Sequence, residues 1–281
     1  MKTIKIIGVP EHFNLPWHLA IEEGAFLERG INLEWTDIPE GTGKMCQMLE
    51  SNDTDLAIIL TEGIIKSIHE GNPCKIVQEY IGTPLQWGIH VDAKSTYTSI
   101  KELQNTKAAI SRYGSGSHLM AYIHAQQKGW DTGKLKFEVI NNLNGAIEGL
   151  ANGKADYFMW EHFTTKPHVD NQSFRRLDDF PTPWPCFVIA GTKKFLEANN
   201  NLITHILEVI NTYTSEFKSI PSIDRTLSNK YEQKLEDIQE WLSITSWSQN
   251  QIKIATVIKV QESLKTLNLI QSKLTTEDIL Y

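Results

Sequence analysis

The sequence predicts an α/β protein of two lobes, each a mixed, mostly parallel sheet flanked by helices, with a helical C-terminal segment. Three observations carry that expectation. Short apolar runs alternate with helix-spaced segments from Thr3 to Trp160, one helix–turn–strand unit occurs twice, and beyond Ala190 the pattern turns to helices alone. Strands separated by helices imply parallel neighbours covered on both faces. A chain of 281 residues is long enough for two lobes of roughly 100–150 residues, each with its own core.

Thr3–Val9 reads as the first strand. Asn14 can cap a helix with Pro16 in its first turn, where a missing amide does no harm, and that helix is expected to run to Arg29, with Gly30 as a left-handed exit. Strand Asn32–Ile38, helix Thr42–Glu50, continuous apolar strand Leu56–Leu60, helix Glu62–Glu70 and strand Lys75–Tyr80 follow. The middle third repeats the scheme: a short helix at Ile100–Leu103, strand Ala108–Ser111, helix His118–Lys128, strand Phe137–Ile140, helix Gly145–Asn152 and strand Tyr157–Trp160. No Pro-rich or Ser-rich linker separates the thirds, so a lobe boundary must lie in structured segments that cross between lobes. Leu202, Ile206, Val209, Ile210, Tyr213 and Phe217 make one apolar helical stripe, read as core, and helices are expected over Lys230–Leu242 and Gln251–Leu267.

The repeated unit is Met45–Glu62 and Ala146–Glu161: a helix ends in polar residues, then come Asp55 or Asp156, a buried strand, and an acid near the strand's end. In both, a leucine (Leu49, Leu150) precedes the aspartate by six positions. In open α/β sheets the ligand sits beyond the carboxyl ends of the strands, where Thr61-Glu62 and Trp160-Glu161 fall.

Composition narrows the partners. A formal net charge of −7 argues against a nucleic-acid backbone or an anionic membrane, both of which select for surplus Lys and Arg. No segment approaches the roughly 20 apolar residues of a spanning helix. Three scattered cysteines, Cys46, Cys74 and Cys186, fit a reducing compartment better than a disulfide framework. Met1 stands directly before the first strand, so the chain as it stands is expected in the cytoplasm. Removal of a leader would instead place it in the periplasm or on a lipid anchor.

Leu19–Glu34, Leu49–Ala57, the strand followed by Gly114-Ser115-Gly116-Ser117-His118, and Leu150–His162, in that order and spacing, resemble the type II periplasmic-binding-protein family. The similar subgroup binds aliphatic sulfonates, taurine, nitrate and the thiamine pyrimidine precursor. His162 stands where that family usually has proline, and Leu267–Ile270 where it tends to have a Gly-Leu-Ile turn. The resemblance implies lobe 1 over residues 1–88 and 191–281, with the C-terminal helices, and lobe 2 over 89–190. Segments near Gln86–Val91 and Trp184–Ala190 would form the hinge of a protein that closes on one small organic ligand, such as a sulfonate, a carboxylate or an aminopyrimidine-like heterocycle. An ABC-transporter permease is the implied partner if the protein is exported.

The candidate ligand-binding residues follow from residue type and position. Tyr113, Gly114, Ser115, Gly116 and Ser117 precede a helix, so the backbone can approach an anionic group with amides pointing outward. Glu40, Gly41, Thr42 and Gly43 form the opposing candidate, although Ile38 and Met45 break any phosphate-loop pattern. His12, Phe13, Trp17, Thr61, Glu62, Trp160, Glu161 and Trp184 add aromatic faces for a ring or cation and acids for ring N–H groups or an amine. No cofactor, metal or catalytic residue is expected, since neither a His-Glu-x-x-His motif nor a Gly-x-Ser-x-Gly elbow occurs. The rival readings are an enzyme on the same fold and an intracellular ligand sensor. Relatives of the enzyme kind act in menaquinone synthesis, with His12, His18 or His162 as acid–base groups here, or in thiamine-pyrimidine synthesis with clustered cysteines that this chain lacks.

Overall fold

The computed structural model describes residues 3–281. Its strands are β1 (Thr3–Gly8), β2 (Asn32–Asp37), β3 (Leu56–Leu60), β4 (Cys74–Ile81), β5 (Gln86–Asp92), β6 (Lys107–Ile110), β7 (Lys136–Val139), β8 (Tyr157–Glu161), β9 (Phe174–Pro181) and β10 (Phe187–Thr192). The helices are α1 (Leu15–Glu22), α2 (Ala25–Glu28), α3 (Thr42–Glu50), α4 (Thr61–His69), α5 (Gly116–Gln127), α6 (Leu143–Ala151), α7 (His162–Asp170), α8 (Lys193–Ala198), α9 (Asn200–Glu216), α10 (Ile223–Lys230), α11 (Leu235–Ile244), α12 (Ile254–Thr266) and α13 (Thr276–Ile279). The chain divides into unit 1, Met1–Thr83 with Trp184–Tyr281, and unit 2, Pro84–Pro183. The divisions fall just before the stretches 86–91 and 184–190 that were expected to cross. Gln86–Asp92 belongs to the sheet of unit 2 and Phe187–Thr192 to that of unit 1.

Each unit is built on a five-stranded sheet, ordered β2-β1-β3-β10-β4 in unit 1 and β7-β6-β8-β5-β9 in unit 2. Three parallel strands come first in each. A strand from a remote part of the chain, β10 or β5, then runs antiparallel to its neighbours on both sides. The strands in the middle of the unit-1 sheet are covered on both faces, so every residue of β3 and β10 is buried, β3 is an unbroken apolar run and β10 is apolar from Phe187 to Ala190. Each large aliphatic side chain buried this way contributes roughly 1.5–3 kcal/mol.

The repeated aspartates are structural in both units. The Asp55 carboxylate accepts the Lys5 amide (2.9 Å) while the Asp55 amide donates to the Lys5 carbonyl (3.0 Å). The Asp156 carboxylate accepts the Lys107 amide (2.8 Å), and the Asp156 amide donates to the Lys107 carbonyl (2.8 Å). Each aspartate thereby ties the start of β3 or β8 to its parallel neighbour β1 or β6, satisfying groups that the ladder leaves open.

Several expected boundaries moved for local reasons. The first helix is two: Gly24 takes φ +75°, which ends α1 and starts α2. The helix expected over Lys230–Leu242 begins only at Leu235, after Tyr231–Lys234, in which Glu232 takes φ +52°. The apolar stripe of α9 buries Ile203, Ile206, Val209 and Ile210, with Phe217 just beyond, and leaves Leu202 and Tyr213 half-buried.

Candidate functional site

In unit 1 the carboxyl ends of β2, β1 and β3 deliver Glu40–Gly43, His12-Phe13 and Thr61-Glu62 to one end of the sheet. The start of β10, antiparallel to β3, brings Trp184 to the same end. His12 is buried and stacked on Trp241 (ring centroids 4.1 Å apart), with its Nε2 lacking a hydrogen-bond partner. Burial pushes its pKa down to about 3, which keeps the ring neutral. Phe13 packs against Phe187 and Trp241, and its carbonyl accepts from the Tyr80 hydroxyl (2.7 Å) and Trp247 Nε1 (3.2 Å). Trp17 is wholly buried and stacks on Phe26 within the core of the unit.

α4 begins where β3 ends. The Thr61 hydroxyl donates to the Pro185 carbonyl (2.6 Å), and its amide to the Cys186 carbonyl (2.9 Å). Glu62 is completely buried; one carboxylate oxygen accepts Trp184 Nε1 (2.8 Å), and the other, Oε1, has no partner. Burial pushes this acid up to about 7, against the opposing pull of the Trp184 N–H and its own backbone amide. Glu40 is exposed in the turn before α3, Gly41 takes φ +75°, and Gly43 is half-buried. Thr42 is buried, its methyl seated where a side chain at Gly63 would stand.

In unit 2 the turn after β6 carries Tyr113–Ser115 into α5. Ser115 caps the helix, its hydroxyl accepting the His118 amide (3.4 Å), while the Ser117 hydroxyl accepts the Ser111 amide (3.1 Å). The outward amides expected here are partly taken up. That of Gly114 donates to His118 Nδ1 (3.0 Å) and that of Ser115 to the Arg112 carbonyl (3.2 Å). Among the described residues, the Gly116 and Ser117 amides meet no acceptor. Tyr113 is 66% exposed and sets its ring edge-on to His118 and Phe137. A neutral His118 with an accepting Nδ1 carries its proton on Nε2.

Trp160 and Glu161 lie at the carboxyl end of β8 and make separate contacts. Glu161 is buried and caps α7, accepting the Thr164 amide (2.6 Å). Burial raises its pKa, opposed by the hydrogen bonds from Thr164. Half-buried Trp160 stacks on Phe158 and packs against the cluster of Ile140, Ala146 and Leu150. His162 opens α7 in place of the usual proline, and its Nδ1 lies 2.8 Å from Asp179.

Sequence reasoning passed over Trp241, Trp247 and Arg112. The two tryptophans come from the C-terminal helical region and meet His12 and Phe13 only through the fold. Arg112 stands in the turn before α5, and its signal was a cation next to a Gly-Ser run. Among the described residues no group of three His, Cys, Asp or Glu side chains is gathered to hold a metal, and no helix is long and apolar enough to cross a membrane.

Residues 87–180 match the family model for Ca3427-like periplasmic binding proteins. The solved structure of the Candida albicans CA3427 gene product, described as defining a new family with the generic periplasmic-binding-protein fold, is 26% identical. The match covers 98% of this chain and 92% of that one, with a TM-score of 0.89. The alkanesulfonate-binding protein SsuA from Xanthomonas axonopodis pv. citri, bound to MOPS, is 14% identical over 99% of this chain and 98% of its own, with a TM-score of 0.82. SsuA from Escherichia coli, an aliphatic-sulphonate binder, is 14% identical over 100% and 92%, with a TM-score of 0.73. No curated protein sequence matches the chain. The chain therefore has the type II periplasmic-binding-protein fold, and its second unit matches the Ca3427-like family.

Proposed function

We propose that this protein binds one small organic solute, seats an anionic group of that solute at the N-terminus of α5, and closes its two units as it binds. The observation that carries this reading is the pair of buried amides, Gly116 and Ser117, without acceptors at the carboxyl end of β6 and the start of a twelve-residue helix. Such a helix end presents both N–H donors and positive partial charge to an anion. The alkanesulfonate-binding neighbours favour a sulfonate or carboxylate head, and the aromatic residues of unit 1 favour a heterocycle such as an aminopyrimidine as the alternative body. Delivery to an ABC-transporter permease follows only for an exported protein; a cytoplasmic one would serve as an intracellular carrier or sensor.

Calorimetric titration with sulfonates, carboxylates and pyrimidines tests the binding, and Gly116→Pro tests the site. Proline is tolerated at the first helical position, and Ser115 (φ −75°, ψ 167°) already holds the extended conformation that a following proline requires. The variant removes one amide without breaking any hydrogen bond of the helix. A lost hydrogen bond to a charged group costs about 1.5–3 kcal/mol, so affinity for an anionic solute should fall at least about tenfold with unchanged melting. Unaltered affinity would remove α5 from the site. Small-angle scattering with and without solute tests closure, which predicts a smaller radius of gyration.

One observation favours a second reading, catalysis on the same fold. Asp179 fixes the His162 ring through Nδ1, an arrangement that suits a general base. Recovery of a chemically altered solute, with turnover lost in His162→Gln, would support it.

A further inference from the structure

We infer that the unit-1 face recognises an N–H donor on its solute, an amine or an amino-heterocycle, through the unpartnered Oε1 of Glu62. This deepens the solute-binding reading above and rests on it.

Glu62 is the second residue of α4, directly beyond the carboxyl end of β3, where ligands of open α/β sheets bind. It is fully buried, yet only one of its two oxygens is satisfied, by Trp184 Nε1 at 2.8 Å. Buried acceptors are nearly always hydrogen-bonded, and an open one just beyond the carboxyl end of a strand can be met by a partner that arrives from outside. Trp184 fixes the carboxyl from one side, which leaves Oε1 as the atom offered. His12, shortly after the end of β1, is also buried with an unpartnered atom, Nε2, on a ring held by stacking on Trp241. A neutral imidazole nitrogen can give or accept one hydrogen bond according to its tautomer. Glu62 thus offers an acceptor and His12 an adaptable nitrogen, Trp241 stacked on His12 keeps an unpartnered N–H of its own, and no Lys or Arg hydrogen-bonds Glu62 Oε1 or His12 Nε2 among the described residues. The open carboxyl oxygen of Glu62 disfavours a bare anion beside it and suits a neutral or cationic N–H group, such as the amino group of an aminopyrimidine.

The test uses matched probes on the intact chain: taurine against ethanesulfonate, β-alanine against propionate, and 4-aminopyrimidine against pyrimidine. The nitrogen-bearing member of at least one pair is expected to bind more than tenfold tighter. In Glu62→Gln the side-chain oxygen can still accept from Trp184, but an NH2 replaces Oε1, so that preference should vanish through weaker binding of the nitrogen-bearing member alone. Equal affinities within every pair that binds would overturn the inference while leaving solute binding intact. A preference that survives in a folded Glu62→Gln would overturn it as well. Failure of every probe and of the wider sulfonate, carboxylate and pyrimidine panel would sink the solute-binding reading and this inference with it.

Discussion

At Gly63 the start of α4 packs tightly against Thr42 at the start of α3. A Cβ on Gly63 would lie 2.2 Å from Thr42 Cγ2, with Thr42 Cβ at 3.5 Å and Leu60 Cβ at 3.9 Å in ordinary contact. Carbon atoms rest at about 3.5–4 Å, so over 1 Å of overlap must be absorbed by a buried, β-branched side chain with little rotamer freedom. Alanine would otherwise gain about 1 kcal/mol over glycine in a helix. Overpacking costs about 1–3 kcal/mol, so Gly63→Ala should be net destabilising by about 1–2 kcal/mol. Thr42→Ser deletes the offending methyl and alone costs about 1 kcal/mol. Because the clash is gone, the double variant should be more stable than Gly63→Ala, with a coupling of about 1–3 kcal/mol. Urea unfolding followed by tryptophan fluorescence and by circular dichroism measures all four proteins and shows whether the transition is two-state. A neutral or stabilising Gly63→Ala, or additive effects, would refute the close approach.

Gly145 makes a harder contact: its Cβ would fall 1.9 Å from the Ile140 carbonyl oxygen, a backbone atom that cannot rotate away. Gly145→Ala should cost about 3 kcal/mol or more in a thermal melt, and a wild-type melting point would contradict the start of α6. Asp156→Ala removes the acceptor of both the Lys107 amide and the Tyr97 hydroxyl (2.8 Å) and should cost about 1–3 kcal/mol by urea unfolding. The pH response has two opposed parts. Burial pushes His12 and His90 down to about 3 and His124 to about 4, so their contribution is full above the ordinary 6.5. It drains as pH falls, at up to roughly 1.4 kcal/mol per pH unit each. Glu62, pushed up from 4.5 to about 7, runs the other way: its contribution is full below 4.5 and is lost as pH rises towards 7. Glu62→Gln should therefore gain about 2 kcal/mol relative to wild type between pH 5 and pH 8, and an unchanged difference would refute the buried acid.

The fold was legible where one period dominated. β3 reads as five consecutive apolar residues, and the alternation with α3 and α4 identifies a parallel sheet. The missed elements lack such a signal. β9 is an edge strand whose Arg175, Arg176, Asp178 and Asp179 interrupt any apolar alternation. α7 holds Pro167 in its interior, which argues against a helix by propensity alone; packing on β9, β8 and β5 overrides it. Candidate residues fell at strand ends because the topology puts them there. What each side chain does depended on contacts from distant sequence: Trp241 under His12, Trp184 on Glu62, and His118 folded back on the Gly114 amide. The repeated aspartates pointed to duplication, and their hydrogen bonds to β1 and β6 show that they serve the sheets rather than the ligand.

Solute binding itself is tested most directly by calorimetric titration of the purified protein with the sulfonate, carboxylate and pyrimidine panel, followed by mass spectrometry of the recovered solute. One-to-one saturable binding, weakened at least about tenfold by Gly116→Pro, with the solute recovered unchanged, is the expected result. No binding by any member, or recovery of a converted product, would contradict it.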